Sequence, residues 1–487
     1  MRISLSDSNT LRTLFSLVIG VSTGAGLFAP TLWWTAPLGM ALLFFLLTST
    51  RGRTGAAFLV GFAYGFGLIG MSFLWGFETL PLVWLGIPNV RVGFCIISFI
   101  WGVFTVILAS VVGLWACLAL RLLGSLTQLC ACAGLFVAFE FLRALLFSIV
   151  AWGPGSTLGA DLSFGFIGYV LSWSSGFLWL ARAGGVATLS FCSVFLGGFL
   201  FFIYQSKLPF RTMVTLGAAC LFVAFGFFFP SPVVFELNPQ TVSINGHTIA
   251  PLSLYIDAAL SRNKETLTRD EQKSLLGLRG VFAVNPDIII FPEYARFFQN
   301  EHFLSEANIQ EVESYLKTNR TLVVDSTFEE LQSGGRGSAV FYDGEREGVV
   351  LSQQKRLLIP LGEYLPYALS SALRVAGFTE EVAQIEKYRT AAPSHRPFSS
   401  RLIEWRGITI GVLNCSETLA PFGYKALASA NADVLVNIAS HAWVGSHSNL
   451  MFMEALAMAR IHSVYAWKPF IQATNYAPSY ALIPRPL

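Results

Sequence analysis

Ile408-Thr409-Ile410-Gly411-Val412-Leu413-Asn414-Cys415-Ser416-Glu417 runs from an apolar, β-branched string straight into a polar turn. A short apolar run with such a break reads as a strand buried on both faces, and here it delivers a thiol to the point where the chain leaves the sheet. The other six cysteines, Cys95, Cys117, Cys130, Cys132, Cys192 and Cys220, lie in a strongly apolar first half, so Cys415 is the only one in the polar half. Taken alone it is either a packing residue or a nucleophile.

Two further strand ends carry charge. Asp287-Ile288-Ile289-Ile290-Phe291-Pro292-Glu293 is a buried strand stopped by proline, with a carboxylate at its tip. Glu293 there is an ordinary loop acid or a general base with a pKa raised by burial. Val349-Val350-Leu351-Ser352-Gln353-Gln354-Lys355 ends on a lysine, followed by Leu358-Ile359-Pro360-Leu361-Gly362-Glu363. Lys355 can stabilise an oxyanion and favour a thiolate, and Glu363 can orient either partner. A surface lysine and a surface glutamate are the plain alternatives. The backbone N–H of Ser416 is placed to help hold an oxyanion, and a thiol of ordinary pKa needs a nearby base or cation to react.

Composition sets where this chemistry takes place. With 54% hydrophobic and 13% charged residues and a mean hydropathy of +0.59, the chain reads as a membrane protein. The divide falls near residue 231: ten Lys and Arg precede it against four acids (Asp7, Glu78, Glu140, Asp161), and 22 basic and 25 acidic residues follow it. The net charge of +3 is thus a sum of unlike halves and gives nucleic-acid binding no support.

Apolar segments at about 11–29, 32–48, 55–76, 92–118, 129–150, 185–204 and 212–230 approach the roughly 20 residues that cross a bilayer. That predicts about seven spans, with 163–181, which carries Trp173-Ser174-Ser175-Gly176, as an interfacial or re-entrant piece. Short loops rich in Lys and Arg stay in the cytoplasm. With the N-terminus inside, Arg2, Arg12, Arg51, Arg53, Arg121, Lys207 and Arg211 fall on that side, and seven crossings put the polar half outside. The first span has basic flanks, but a second follows almost at once and no small-residue cleavage site is evident, so it reads as retained. Gly20-x-x-x-Gly24 and Gly61-x-x-x-Gly65 suit close helix packing. Glu140 and Arg143, three apart on one apolar helix, are expensive to bury. They read either as a structural ion pair or as a contact to a charged lipid headgroup.

From about residue 240, β-branched runs alternate with helical stretches, the pattern of an α/β layered domain. Strands are predicted at 241–244, 287–291, 321–325, 338–342, 348–353, 408–413, 433–438 and 470–474, and helices at 265–282, 304–318, 418–430 and 449–465. The domain organisation is therefore residues 1–231 as a multi-span α-helical membrane domain and 232–487 as an α/β domain large enough for its own core. Gly334-Gly335-Arg336-Gly337 reads as a hairpin turn and not a phosphate loop, since no Lys-Ser/Thr and helix follow. His247, His302, His395, His441, His447 and His462 show no zinc-ligand spacing, so no metal site is expected.

In combination, a strand-end Glu, a strand-end Lys and a strand-to-helix Cys in this order resemble the Glu-Lys-Cys triad of the nitrilase superfamily. Behind a multi-span half, they resemble the bacterial apolipoprotein N-acyltransferases. Phe139-Glu140-Phe141-Leu142-Arg143 is similar to that family's Glu-x-x-Arg helix. Phe291-Pro292-Glu293, the run from Lys355 through Leu358-Ile359-Pro360-Leu361-Gly362-Glu363-Tyr364-Leu365-Pro366, Asn414-Cys415-Ser416-Glu417 and Ala442-Trp443-Val444-Gly445 are similar to its soluble signatures.

The resemblance implies a nitrilase-like α-β-β-α sandwich and a two-step acyl transfer. Cys415, deprotonated by Glu293, would attack a phospholipid ester, phosphatidylethanolamine being the expected donor. The resulting thioester would pass the acyl chain to the N-terminal amine of a diacylglyceryl-cysteine on an apolipoprotein. Lys355 would stabilise both tetrahedral intermediates, with Glu363, Ser416 and Glu417 in support. The resemblance further implies a monomer in the bacterial cytoplasmic (inner) membrane, with the second domain on the periplasmic side, membrane lipids as surroundings and no cofactor. Leu361, Tyr364, Leu365, Tyr367 and Leu369 form either an arm that dips into lipid or a core segment.

The chain departs from the family pattern in several places. Ser416 stands where an aromatic usually follows the nucleophile, His441 where Asp usually precedes Ala-Trp, and Tyr476 where glycine usually follows Thr-Asn. No tryptophan is evident in Ile244-Asn245-Gly246-His247, and the family usually continues beyond the point where this chain stops, at Leu487, so the second domain is expected to be shortened. A membrane-tethered amidase with the same triad, or a non-catalytic membrane interaction protein, are the other readings.

Overall fold

The structure is a computed structural model that describes residues 9–83, 87–122, 125–205, 211–256, 264–299, 306–331, 334–346, 348–375, 377–380, 382–383, 386, 397–444 and 450–485. Among these, seven longer helices build the first domain: α1 (Asn9–Ala25), α2 (Thr35–Thr48), α3 (Thr54–Ser72), α4 (Val90–Ala119), α5 (Leu126–Val150), α7 (Ala181–Gln205) and α8 (Arg211–Phe228), with a short α6 (Ser175–Leu178) between α5 and α7. They fall where the seven apolar segments lie. Among the described residues, four helical stretches, Thr54–Thr79, Val90–Leu122, Leu126–Val150 and Ala181–Gln205, are long and apolar enough to cross a membrane. Phe15, Phe45, Phe99 and Leu142 point outward from this bundle, as lipid-facing side chains do.

Glycine lets the bundle close. A Cβ on Gly65 of α3 would sit 2.8 Å from Val112 Cβ of α4, and one on Gly67 would sit 2.5 Å from the Val21 backbone nitrogen of α1. These helices therefore touch backbone to backbone, the geometry that small residues permit. The 163–181 stretch does not cross as a helix. Its core, Ile167–Trp173, is a buried 3₁₀ segment under the second domain.

The second domain holds two sheets. One has the order β1 (Val233–Leu237), β13 (Tyr480–Pro484), β12 (Phe470–Asn475), β11 (Val434–Ser440), β10 (Ile408–Asn414), β9 (Leu402–Trp405), with β4 (Ser253–Leu254) pairing β12. The other runs β2 (Val242–Ile244), β3 (His247–Pro251), β5 (Ile288–Ile290), β6 (Leu322–Leu331), β7 (Gly334–Asp343), β8 (Gly348–Gln354). Alternation of side chains separates the layers. Ile288 and Ile290 meet Ile408, Ile410 and Val412 between the sheets, while Ile289 faces Leu275, Leu278 and Leu316 of α9 (Lys264–Phe282) and α10 (Glu306–Asn319). On the other side, Leu413 and Leu435 pack with Tyr424, Leu427 and Leu456 of α12 (Pro421–Ser429) and α13 (Leu450–Ala466), which follow α11 (Tyr367–Val375). This is the α-β-β-α sandwich, and Gly411 allows its tight fit: a Cβ there would lie 3.2 Å from Leu427 and Ala432.

The predicted strands and helices are present with shifts at their ends, the largest in β6, which runs on to Leu331, and β7, which starts at Gly334, and β1, β3, β4, β9, β13 and α11 are additional. Gly334–Gly337 is not the turn. These residues open β7 and pair with Phe328–Leu331 of β6.

Helix α13 explains how the domains join. It is buried on nearly every side, the mark of a helix packed between two layers. Phe452, Leu456 and Ala459 face the sheet, while Met451, Ala455, Met458 and Ile461 join the apolar core of the membrane domain. Trp443 meets Trp75 edge to face at 5.7 Å, Arg460 donates to Ser172 O at 3.1 Å and Tyr169 hydrogen-bonds His462 at 3.1 Å. The C-terminal ends of β10 and β11 are thereby held against the membrane half.

Candidate active site

The three strand ends converge. Phe291 N donates to Val324 O at 2.8 Å, which carries the β5 ladder one residue past the strand. Pro292, with no N–H to continue it, then turns Glu293 into the site. Lys355 follows β8, its backbone N donating to Gly337 O at 2.9 Å. Its ammonium is 2.9 Å from Glu363 Oε1 and 3.8 Å from Glu293 Oε1, and its side chain is 4% exposed, so this cation is dedicated to the cluster. Glu363 is presented by a tight turn in which Leu361 takes a left-handed φ of 68° and Glu363 Oε2 accepts from Ile359 N at 2.8 Å.

Cys415 follows β10 with a φ of 46°, a left-handed conformation that costs a non-glycine residue energy and is held only by its surroundings. Those surroundings are specific. Asn437 Nδ2 donates to Leu413 O at 2.9 Å and Cys415 O at 3.3 Å, and Asn414 N donates to Glu417 Oε2 at 2.8 Å. The residue is half-buried, and its thiol hydrogen-bonds the Glu293 carboxylate.

Electrostatics define the resting state. Burial and then the charge of Glu293 push the Cys415 thiol well up, against the pull of Lys355. Burial also raises Glu293, with Lys355 opposing and the neighbouring charge of Glu363 adding. Burial alone would depress Lys355, but Glu363 and Glu293, joined by the Cys415 sulfur whenever it is ionised, outweigh it and hold it firmly protonated. The cluster thus rests as a neutral thiol donating to a carboxylate beside a fixed cation. Such an arrangement can pass the thiol's proton to the carboxylate.

Ser416 and Glu417 do other work. Ser416 is buried and its hydroxyl donates to Leu357 O at 2.6 Å. Glu417 is fully buried and stays clear of the thiol. It accepts from Arg356 N at 2.5 Å and Leu357 N at 3.3 Å, and pairs with Arg401 Nη1 at 2.7 and 2.8 Å. It fastens the cysteine turn to the segment after Lys355. Arg401, itself 1% exposed, also donates to Gln354 O, and no motif in the sequence pointed to it.

Glu140 and Arg143 lie away from this cluster. Both are 2% exposed, 3.8 Å apart, and turned to the backbone of the buried stretch under the second domain: Ile167 N donates to Glu140 at 2.7 Å and Arg143 donates to Gly165 O at 2.7 Å. This is the ion-pair arrangement, closed to headgroups. Gly445, His302, His395 and His447 lie outside the described residues.

Beside the cluster opens an apolar cavity of about 550 Å³, walled by Phe73, Phe104 and Phe147 of the membrane domain and by Leu361, Leu365 and Leu369 of the second. The leucines of the 361–369 segment thus face a cavity wall, while Tyr364 is buried and Tyr367 exposed. A smaller pocket of about 30 Å³ contains Cys415 and shares Ile359 and Trp443 with the large one.

Comparison with known proteins places both halves. Residues 20–199 match a family model described as apolipoprotein N-acyltransferase N-terminal domain, and residues 271–474 match carbon-nitrogen hydrolase. The apolipoprotein N-acyltransferase of Rhizobium meliloti (strain 1021) is 26% identical over 428 residues, covering 84% of this chain and 74% of that one. The enzyme of the same name from Brucella suis biovar 1 is 26% identical over 197 residues, 39% of this chain and 34% of that one. Among solved structures, a carbon-nitrogen hydrolase from Helicobacter pylori G27 matches 46% of this chain and 73% of its own at 13% identity and a TM-score of 0.31. An amidase from Nesterenkonia sp. matches 51% and 94% at 13% identity and a TM-score of 0.31. With one family model on the helical half and the other on the sandwich, in this order on one chain, the protein belongs to the apolipoprotein N-acyltransferases of the nitrilase superfamily.

Proposed function

We propose that this chain moves an acyl group from a membrane phospholipid, through a thioester on Cys415, to the N-terminal amine of a diacylglyceryl-cysteine on a lipoprotein. The observation that carries this reading is the junction of the Glu293–Lys355–Cys415 cluster with a cavity walled by both domains. A volume of about 550 Å³ falls within the roughly 300–1,000 Å³ of small-molecule sites. Lipid tails are about as apolar as the leucines of the wall, so a chain passing from bilayer to cavity gains little free energy. What it gains is position, with its ester next to the thiol.

In the first half-reaction Glu293 takes the Cys415 proton as sulfur attacks the ester carbonyl. Negative charge on the carbonyl oxygen faces the Lys355 ammonium, the C–O bond breaks, and the glycerol oxygen leaves with the proton from Glu293. In the second, the lipoprotein amine attacks the thioester, the C–S bond breaks, and the amine's proton reaches sulfur through Glu293. The basic loops and seven helices support an orientation with the sandwich on the outer side of the cytoplasmic membrane.

Glu293 must be ionised to act, so acylation is expected to fall as pH drops through its pKa. Burial and Glu363 raise that pKa, which puts the acidic limb above the ordinary carboxylate range. Glu363→Gln removes the like charge and leaves Lys355 to Glu293, and both changes lower the pKa. The limb should shift to lower pH in single-turnover acylation, and an unmoved or raised limb would contradict the assignment.

The cavity can be narrowed without touching the cluster. A Cβ added at Gly76, on the cavity wall, meets only Ile97 Cγ2 at 3.8 Å, an ordinary contact. Gly76→Phe should therefore slow acylation by long-chain phospholipids by about 10-fold or more and leave short-chain donors nearly unchanged. Equal effects on both would remove the cavity from the reaction. The direct test is a clickable phospholipid in mixed micelles followed by a diacylated lipopeptide. A hydroxylamine-labile adduct on Cys415 that chases into N-acyl peptide is expected, and its absence would retire the reading.

A further inference from the structure

The small pocket around the thiol holds one side-chain group that the mechanism above does not use. Cys415, Ser416, Thr418, Ser440, His441 and Gln472 supply its polar lining. Four of these are already committed. Ser416 donates to Leu357 O at 2.6 Å, and the Thr418 hydroxyl bonds the Tyr424 hydroxyl at 2.7 Å. Ser440 Oγ accepts from Asn475 Nδ2 at 3.2 Å. Gln472 donates to Thr474 at 3.2 Å and accepts from Tyr480 at 3.0 Å.

His441 differs. It is 6% exposed, and its Nδ1 has no hydrogen-bond partner among the described residues. The residue is firmly placed: its N donates to Asn475 O at 2.8 Å, its O accepts from Val444 N at 2.9 Å, and its ring lies 6.2 Å from that of Phe452. β10 and β11 are parallel neighbours with Asn414 opposite Ile438, so the residues just past their ends, Cys415 and His441, flank one opening. An orphaned buried nitrogen costs about 1–3 kcal/mol, which makes it a poor device for stability and a good one for a ligand.

We infer that His441 Nδ1 accepts a hydrogen bond from the attacking amine of the lipoprotein acceptor and aims its lone pair at the thioester; this rests on the acyl transfer proposed above. A phospholipid ester presents only acceptor oxygens at its reacting carbon, and a neutral imidazole with its proton on Nε2 offers Nδ1 as an acceptor, so the donor substrate has nothing to give it. A primary amine has two N–H groups and one lone pair. One N–H bonded to Nδ1 fixes the direction of the lone pair. The pocket of about 30 Å³ has room for a group of that size, since a water needs roughly 10–15 Å³ on the same measure. Burial pushes the imidazole down to about 4, so it stays uncharged and does not compete for the proton. As the N–C bond forms and the C–S bond breaks, that proton passes to Glu293 and on to the sulfur.

The two half-reactions separate the roles. His441→Leu keeps the bulk and removes the nitrogen, whereas His441→Asn returns a polar atom near the place of Nδ1. In single-turnover assays with a clickable phospholipid, acylation of Cys415 should stay within about twofold of wild type in both variants. Transfer to a diacylated lipopeptide should fall by about 10–100-fold in His441→Leu, the worth of one buried hydrogen bond, mainly through a higher KM for the peptide. His441→Asn should recover most of it, and release of the acyl group by hydroxylamine should be unchanged in both. Equal loss in the two half-reactions, or transfer at the wild-type rate in His441→Leu, overturns the inference while leaving the acyl-transfer reading in place. A wild-type protein that forms no acyl adduct overturns both.

Discussion

Cys415→Ser is expected to abolish the acyl adduct and to lower N-acylation of a diacylated lipopeptide on the order of 10⁴-fold or more, the scale seen when a covalent nucleophile is removed. A hydroxyl is a far weaker acid than a thiol, and the Glu293 carboxylate that can take a proton from sulfur during attack is too weak a base to activate serine at useful rates. The substitution should not disturb the fold. Serine nearly matches cysteine in shape, it can adopt the φ of 46° at this turn, and the hydrogen bond to Glu293 can be made by a hydroxyl. Melting of the detergent-solubilised variant should therefore track wild type while the adduct disappears. An adduct that survives, or that maps to one of the membrane-domain cysteines such as Cys117 or Cys192, would remove Cys415 from the reaction.

How far the fold was legible depends on where periodicity was enough. Uninterrupted apolar runs marked the bundle helices and the central strands β5, β10, β11 and β12, because a strand buried on both faces leaves a continuous signal. Of the strands at or next to an edge, β1, β3, β9 and β13 were missed. The β2–β3 hairpin turns at Asn245-Gly246, with φ of 51° and 83°, and Ile244 pairs with His247. That is the two-residue Asn-Gly loop expected of a primed turn, and reading it would have supplied β3. β1 and β13 pair with each other across more than 240 residues, a partnership that no local pattern encodes.

The site divided in the same way. Glu293, Lys355 and Cys415 end strands that could be read, and Glu363 follows in the same run. Arg401 could not be found because its role depends on pairing. The β9–β10 hairpin reverses at Arg406-Gly407, both with positive φ, and Trp405 lies opposite Ile408. That register carries Arg401 back beside Val412, whose N donates to Arg401 O at 3.3 Å, within reach of Glu417. A charged residue before a four-residue edge strand has no signature of its own. Nor has the 550 Å³ cavity, since its walls come from two domains that only the tertiary fold brings together.

Arg401 accordingly provides the strongest expected effect on stability. Arg401→Met removes the cation from a pair in which both side chains are at most 1% exposed and leaves the Glu417 carboxylate in the interior. Breaking such a pair on one side costs about 3–5 kcal/mol. The low end is expected here, because Asn414 N, Arg356 N and Leu357 N still donate to Glu417. Activity should fall with stability, since Glu417 is what ties the strained Cys415 turn to the segment after Lys355. The double variant Arg401→Met, Glu417→Gln distinguishes a buried charge from lost packing. A neutral amide needs no counter-ion, so the double variant should regain part of the lost stability in thermal or denaturant unfolding. It should not regain full activity, because an amide cannot accept from all of these donors with the strength of a carboxylate. If Arg401→Met unfolds with the wild-type midpoint, or if the double variant is no more stable than the single, the pair does not hold the Cys415 turn.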